Sequence, residues 1–330
     1  MNKYSVCWTH MEEDESNTDE LDVKIFRALM SERTVAQSTT QFRSSVRTIA
    51  SRLGADDTTV RNRYKRLQES GAMSGWNFIV NPTFFGCRMG TIMLDVEPES
   101  AKADMIRKLK LVDSVVMLMN FYGKALSIMV MYNSDESYSR TVELISRITN
   151  AETMTKASMA LPRSETEHLS ETDIAIIRAL SNDARKSYVL VAKELGLSTK
   201  IVRKRVDRLR RENTIFTLPS LNIGRVRGLI PVSLSYTYSS KGAKGSVDRA
   251  ILSRFEGSYL WFGFSDPNGG FVMLSAPAIA DVQEFLEWAK SQTGIASARV
   301  DIPIQQFSFP EKLIERIEER GEGASLQSTE

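Results

Sequence analysis

Two stretches of this chain gather the side chains that bind phosphate and read the edges of bases. Thr199–Arg211 holds seven Lys or Arg and one acid, Asp207. Residues 43–71 hold seven Lys or Arg against three acids, and residues 183–212 ten against four. A helix that enters a DNA major groove needs short polar and long basic side chains near its N-terminus. The second stretch offers Ser198, Thr199, Lys200, Arg203 and Lys204 at such positions, and the first offers Thr58, Arg61, Asn62 and Lys65. Arg63 and Arg205 lie beside the apolar stripe of these helices, with Arg66, Arg208, Arg210 and Arg211 further along. These six are expected on phosphates, which position a protein without specifying sequence. The plainer alternative is a solvated helix face, but such a face interleaves acids, and the second stretch does not.

The elements that must hold these residues occur twice. Arg43–Ser74 aligns with Arg185–Phe216 without a gap, at a constant offset of 142. Arg43/Arg185, Ser45/Ser187, Ala50/Ala192, Leu53/Leu195, Gly54/Gly196, Val60/Val202, Arg61/Arg203, Arg63/Arg205, Arg66/Arg208 and Leu67/Leu209 coincide. Such an internal repeat constrains architecture early. In each copy a Ser N-cap, Ser45 or Ser187, opens a helix that ends at a glycine, Gly54 or Gly196. The next helix is expected to start after Asp57 or Ser198 and to bury Val60, Tyr64 and Leu67, or Val202, Val206 and Leu209, at helical spacing. An apolar-periodic helix precedes each pair, through Leu21, Ile25, Ala28 and Leu29 in one copy and Ile174, Ile177 and Leu180 in the other. Extended pieces follow at Gly75–Val80 and Ile215–Leu218. Three helices and a β wing make a winged helix-turn-helix.

Between and after the copies the pattern changes. Strands are expected over Met89–Val96, Val115–Phe121, Leu126–Met131 and Thr155–Leu161, with helices over Ser100–Lys110 and Asp135–Thr149. The second half repeats this order: Leu229–Tyr238, a helix Ser246–Phe255, strands Ser258–Phe264 and Phe271–Ala276, a helix Ala278–Gln292 and a strand Ala298–Pro303. Both read β-α-β-β-α-β, the ferredoxin-like arrangement. The expected fold is therefore α+β, two winged helix-turn-helix domains alternating with two ferredoxin-like domains. The divisions are an acidic tail 1–18, helix-turn-helix 19–86, α/β 87–163, helix-turn-helix 164–227, α/β 228–309 and a charged helix or tail 310–330.

The 330 residues carry a net charge of +2, which hides the local basic patches. Two cysteines, Cys7 and Cys87, leave no disulfide framework or cysteine-built metal site. The apolar runs are too short for a membrane helix, and the acidic N-terminus lacks a signal-peptide layout, so a cytoplasmic protein is expected. Phosphate-binding glycine loops, a dinucleotide fingerprint, a nucleophile elbow and metal-ligand spacing are all missing, so neither enzyme activity nor a cofactor is expected.

This order of motifs resembles the Lrp/AsnC transcriptional regulators. The resemblance is carried by Leu169–Leu180, Ala192, the Leu195-Gly196-Leu197-Ser198 turn, Val202, Arg205, Val206 and Leu209, and by Leu21-Asp22, Ala50, Leu53-Gly54, Val60, Arg63, Leu67, Gly71 and Asn81-Pro82. It implies the RAM-type α/β domain, double-stranded DNA as partner, and pairing through the α/β domains. A tandem chain looks like that dimer fused into one polypeptide, with further homo-oligomers formed through the α/β domains. The family's Gly-x-x-Asp element lies near amino-acid effector sites. Here it reads Gly123-Lys124-Ala125-Leu126, without the Asp, and Gly263-Phe264-Ser265-Asp266. Tyr122, Gly123, Gly263 and Asp266 are therefore the candidate contacts for an effector, an amino acid or related metabolite. The alternative is a small-molecule sensor without promoter function, or an enzyme resembling siroheme decarboxylases of the same fold. The latter use His and Arg near the tetrapyrrole, whereas the two histidines here, His10 and His168, lie in the tail and a linker.

Overall fold

The apolar stripe of each basic helix needs a partner surface, and the two copies provide it for each other. The structure, a computed structural model, describes residues 21–22, 24–25, 28, 45–151, 154–159, 161–181, 183–222, 225, 229–255, 259–266, 268–309 and 311–317. The acidic tail 1–18, the Ser/Thr/Gln-rich segment 31–42 and residues 318–330 lie outside the described residues. In the first copy, α1 (Val46–Leu53) and α2 (Asp57–Glu69) follow the helical residues 21, 22, 24, 25 and 28 and lead into β1 (Met73–Val80). Val60 and Leu67 of α2 are buried, and Tyr64 packs partly buried beside them. The cap of α2 is Asp56 rather than the expected Asp57, because the Asp56 carboxylate accepts the Thr59 N–H at 2.9 Å.

A 3-10 turn (Pro82–Phe85) then opens the first α/β unit. It comprises β2 (Arg88–Asp95), α3 (Lys102–Leu109), β3 (Val115–Phe121), β4 (Ala125–Tyr132), α4 (Asp135–Thr149) and β5 (Met154–Met159). The second copy contains α5 (Glu171–Ser181), α6 (Tyr188–Leu195), α7 (Thr199–Arg211) and β6 (Ile215–Leu221). Its α/β unit comprises β7 (Ile230–Tyr238), α8 (Lys244–Arg254), β8 (Tyr259–Asp266), β9 (Gly269–Ala276), α9 (Ile279–Ser291) and β10 (Ile295–Asp301), and then β11 (Pro303–Ser308) follows. The second sheet runs β10-β7-β9-β8 and the first β11-β3-β4-β2-β5, all antiparallel.

Two features depart from the expectation. The extended pieces do not build separate wings; β1 and β6 pair with each other, from Val80 opposite Ile215 to Met73 opposite Leu221. A lone strand leaves its backbone N–H and C=O groups unpaired, and the other copy's strand is the partner at hand. The pairing merges the two helical units into one core, with Ile49, Val60, Leu67 and Phe78 of the first packed with Ile176, Leu180, Val202, Val206, Leu209 and Ile215 of the second. Asn81, fully buried, pins the junction by donating to the carbonyls of Pro162 (2.8 Å) and Asn213 (2.7 Å).

The second departure lies at the C-terminal end. The strand expected over Ala298–Pro303 is two strands, and β11 crosses to pair with β3 of the first sheet. Residues 311–317 continue as a helix, with Leu313 buried on Met89, Val116, Met129 and Met131 and Ile317 in the shared helical core. Lys312 Nζ fastens this strap by donating to the carbonyls of Lys110, Val112 and Val115 at 2.8–3.0 Å. Residues from the second half of the chain thus complete the first sheet.

Candidate nucleic-acid interface

The turn between the last two helices of each copy is built alike. Gly54 and Gly196 sit at φ 62° and 65°, where a side-chain-bearing residue is strained although no atom crowds the missing Cβ. Ser198 Oγ accepts the Ile201 N–H at 3.2 Å and so starts α7. Cap and left-handed turn together fix the angle at which α7 leaves α6, as Asp56 and Gly54 do for α2 and α1.

Each basic helix is tied to the first helix of its own copy through a buried carboxylate. Asp173, 1% exposed, receives Arg205 Nη1 at 3.1 Å and Arg208 Nη2 at 2.7 Å, together with the Ser170 hydroxyl at 2.6 Å. Burial by itself would raise this carboxyl's pKa. The hydrogen bonds from Ser170 and the Arg208 guanidinium outweigh that cost and hold it below its ordinary value. In the first copy Asp22, 0% exposed, is bound by Arg63 at 3.3 Å and by Arg66. Four of the arginines expected on phosphates, Arg63, Arg66, Arg205 and Arg208, therefore face interior carboxylates and orient the helix. Sequence reasoning missed this pairing because Asp22 and Arg63 are 41 positions apart and no local spacing connects them.

The remaining candidates stand outward. Thr58, Arg61, Asn62 and Lys65 are exposed on α2, where Lys65 pairs with Glu69 at 3.3 Å. Ser198, Lys200, Arg203 and Lys204 are exposed on and just before α7, while Thr199 is half-buried. Beside them the second copy exposes Ile201 on α7 and Val189 and Leu190 on α6. The first copy has Thr59, Arg47 and Thr48 at those positions. The two outward faces thus differ in kind, one polar throughout and the other basic with aliphatic groups.

The candidate effector residues do not converge in this way. Tyr122 is exposed, and the carbonyl of Gly123 accepts the buried Lys102 ammonium at 2.6 Å. Gly263 and Asp266 lie on β8, and the side chain of Asp266 lies outside the described residues. Tyr122 and Gly123 are not among the residues lining the cleft between the two sheets. His168 is exposed on the segment before α5, and His10 lies outside the described residues. Among the described residues no cluster of His, Cys, Asp or Glu is arranged to hold a metal ion, and no helix is long and apolar enough to cross a membrane.

Residues 169–210 match the family model of the AsnC-type helix-turn-helix domain, which covers α5, α6 and most of α7. The chain carries such a domain. It is 34% identical over 107 residues to the HTH-type transcriptional regulator Ptr1 of Methanocaldococcus jannaschii, covering 32% of this chain and 66% of that protein. It is 34% identical over 67 residues to the HTH-type transcriptional regulator LysM of Saccharolobus solfataricus, covering 20% of this chain and 47% of that protein. The chain thus spans just under two thirds of one of these relatives and about half of the other. Among solved structures the siroheme decarboxylase NirDL superposes with a TM-score of 0.55 at 12% identity, over 93% of this chain and 100% of that one. At that identity the likeness is one of fold.

Proposed function

We propose that this chain is a sequence-specific regulator of transcription that binds double-stranded DNA, of Lrp/AsnC type, with the two fused units acting as an intrachain pseudo-dimer. The observation that carries the reading is α7. It belongs to an AsnC-type helix-turn-helix domain, its outer face presents Lys200, Arg203 and Lys204, and a buried carboxylate fixes its orientation. Arg203, Lys200 and Thr199 are assigned to base edges, and Lys204 and Ser198 to phosphates and sugars. In the first copy Arg61, Asn62 and Thr58 take the reading role and Lys65 a backbone contact. Arg63, Arg66, Arg205 and Arg208 act one step back, by holding each helix at its angle.

In this reading residues 19–86 and 164–227 are the DNA-facing domains, and 87–163 and 228–309 are the α/β domains that set their spacing. The strap beyond residue 303 fastens the second half of the chain to the first. Unequal helices predict unequal half-sites. The protein acts in the cytoplasm and assembles further through its α/β domains. The fold likeness to a siroheme decarboxylase does not extend to the site. Neither histidine belongs to an α/β unit, and among the described residues lining the cleft Lys156 and Arg299 are balanced by Asp95 and Glu97. We therefore assign no enzymatic role.

The test is anisotropy of the full chain on a labelled random duplex and on its own promoter, across a salt series. A log–log slope of about −5 corresponds to about six neutralised phosphates, and tighter promoter binding demonstrates sequence reading. A flat slope without measurable affinity overturns the proposal.

A further inference from the structure

The two sheets face each other across a cleft of about 790 Å³, within the range of natural small-molecule sites. Strand alternation decides what lines it. On β7 the residues Val232, Leu234, Tyr236 and Tyr238 enter the core beneath the helices, which turns Ser233, Ser235 and Thr237 toward the other sheet. On β2 the residues Ile92 and Leu94 do the same and leave Thr91, Met93 and Asp95 on the inner face. Two packed sheets ordinarily oppose apolar side chains. Here one face is methionine-rich and the other carries a row of hydroxyls.

Thr237 of that row bonds to the Ser297 hydroxyl at 2.6 Å, but two other hydroxyls, one on each sheet, are under-used. Thr91 Oγ1 is buried, in a residue 8% exposed, and has no hydrogen-bond partner. Ser235 Oγ reaches across the cleft only to the Met93 sulfur at 3.5 Å, a weak acceptor. A buried hydroxyl left unpaired costs stability unless something else meets it. Three described charges in the cleft, by contrast, are occupied. Arg299 forms a two-pronged bridge to Asp95 of the opposite sheet at 2.7 and 3.1 Å and also binds Asp301. Glu97 pairs with Lys124 at 2.5 Å. Lys156, opposite Ile92 in the ladder, is exposed at the rim of the cleft.

We infer that the cleft is a binding site for an uncharged, polyhydroxylated small molecule of mono- to disaccharide size. Hydroxyls that both donate and accept suit Thr91 and Ser235, while Phe271 and Met93 offer the flat C–H face of a sugar ring an apolar surface. Arg299, Asp95 and Glu97 are already paired, which leaves the hydroxyls as the inner-face groups open to a ligand. This site lies away from the DNA-facing helices, and its test involves no DNA, so the two proposals stand or fall separately.

The experiment is isothermal titration of the full chain, without DNA, with D-ribose, D-glucose, maltose and trehalose, and with L-leucine and L-methionine in parallel. Saturable binding of at least one sugar is expected. Thr91→Val, which keeps shape and removes the hydroxyl, should weaken it about tenfold, the size of one hydrogen bond. Ala157→Leu, which fills the cleft, should abolish it at an unchanged melting temperature. Three outcomes overturn the inference: no saturable heat from any sugar, sugar binding that both variants leave intact, or binding of the amino acids alone.

Discussion

The two repeated helical segments share a skeleton and differ in what they show to solvent. Both have a left-handed glycine between their last two helices, a buried stripe at the same register, and an interior aspartate gripped by two arginines. Outward, α2 presents Thr58, Thr59, Arg61 and Asn62, whereas α7 presents Lys200, Ile201, Arg203 and Lys204. Most of what repeats is what the fold needs; the outward pair Arg61/Arg203 is also shared, while the exposed residues around it have diverged. An arginine kept at the same register in both copies is therefore as readily part of the scaffold as of the interface, and Arg63/Arg205 and Arg66/Arg208 are such pairs.

The largest expected effect tests the shared part. Asp173→Asn leaves two guanidiniums without their buried counter-charge and should destabilise the protein by about 3 kcal/mol, measured by denaturant unfolding. Asp22→Asn should cost a similar amount, and a negligible loss there would end the equivalence of the two clamps. The Asp173 clamp also has a pH signature. Its carboxyl titrates below the ordinary value, so its contribution is complete above about pH 4 and is lost as the pH falls through its depressed pKa. The melting-temperature gap between wild type and Asp173→Asn should narrow accordingly in acid.

Next in size are the exposed arginines. Arg203→Ala should weaken DNA binding by about 1–3 kcal/mol and relax preference at one base pair, whereas Arg61→Ala should do less. Selection on random duplexes scores both, and equal, sequence-independent losses would remove Arg203 from the base readers. Gly196→Ala and Gly54→Ala should each cost about 1 kcal/mol of stability, from backbone strain alone. The smallest contrast is at the caps. Ser198→Ala should cost about 1 kcal/mol, but Asp57→Ala far less, because Asp56 rather than Asp57 caps α2.

Much of this molecule follows from short-range rules that act within a dozen residues. Ser45 and Ser187 cap helices because a side-chain oxygen there satisfies a free N–H, and Gly54 and Gly196 end them because a left-handed residue favours glycine. Period-two alternation marked β7 and period 3.6 marked α4, which was read over its observed range, Asp135–Thr149. The internal repeat is legible in the gapless offset of 142. Residues far apart in the chain decided the rest. No local pattern says that β1 pairs with β6, that β11 leaves its own unit for β3, or that Asp22 and Asp173 each claim two arginines. Each of these satisfies a backbone edge or a buried charge, and which group meets that demand is settled only when the whole chain packs. The basic residues were legible from sequence as a set. Their division into those that hold the helix and those that face outward belongs to the tertiary structure, because burial, not residue type, separates them.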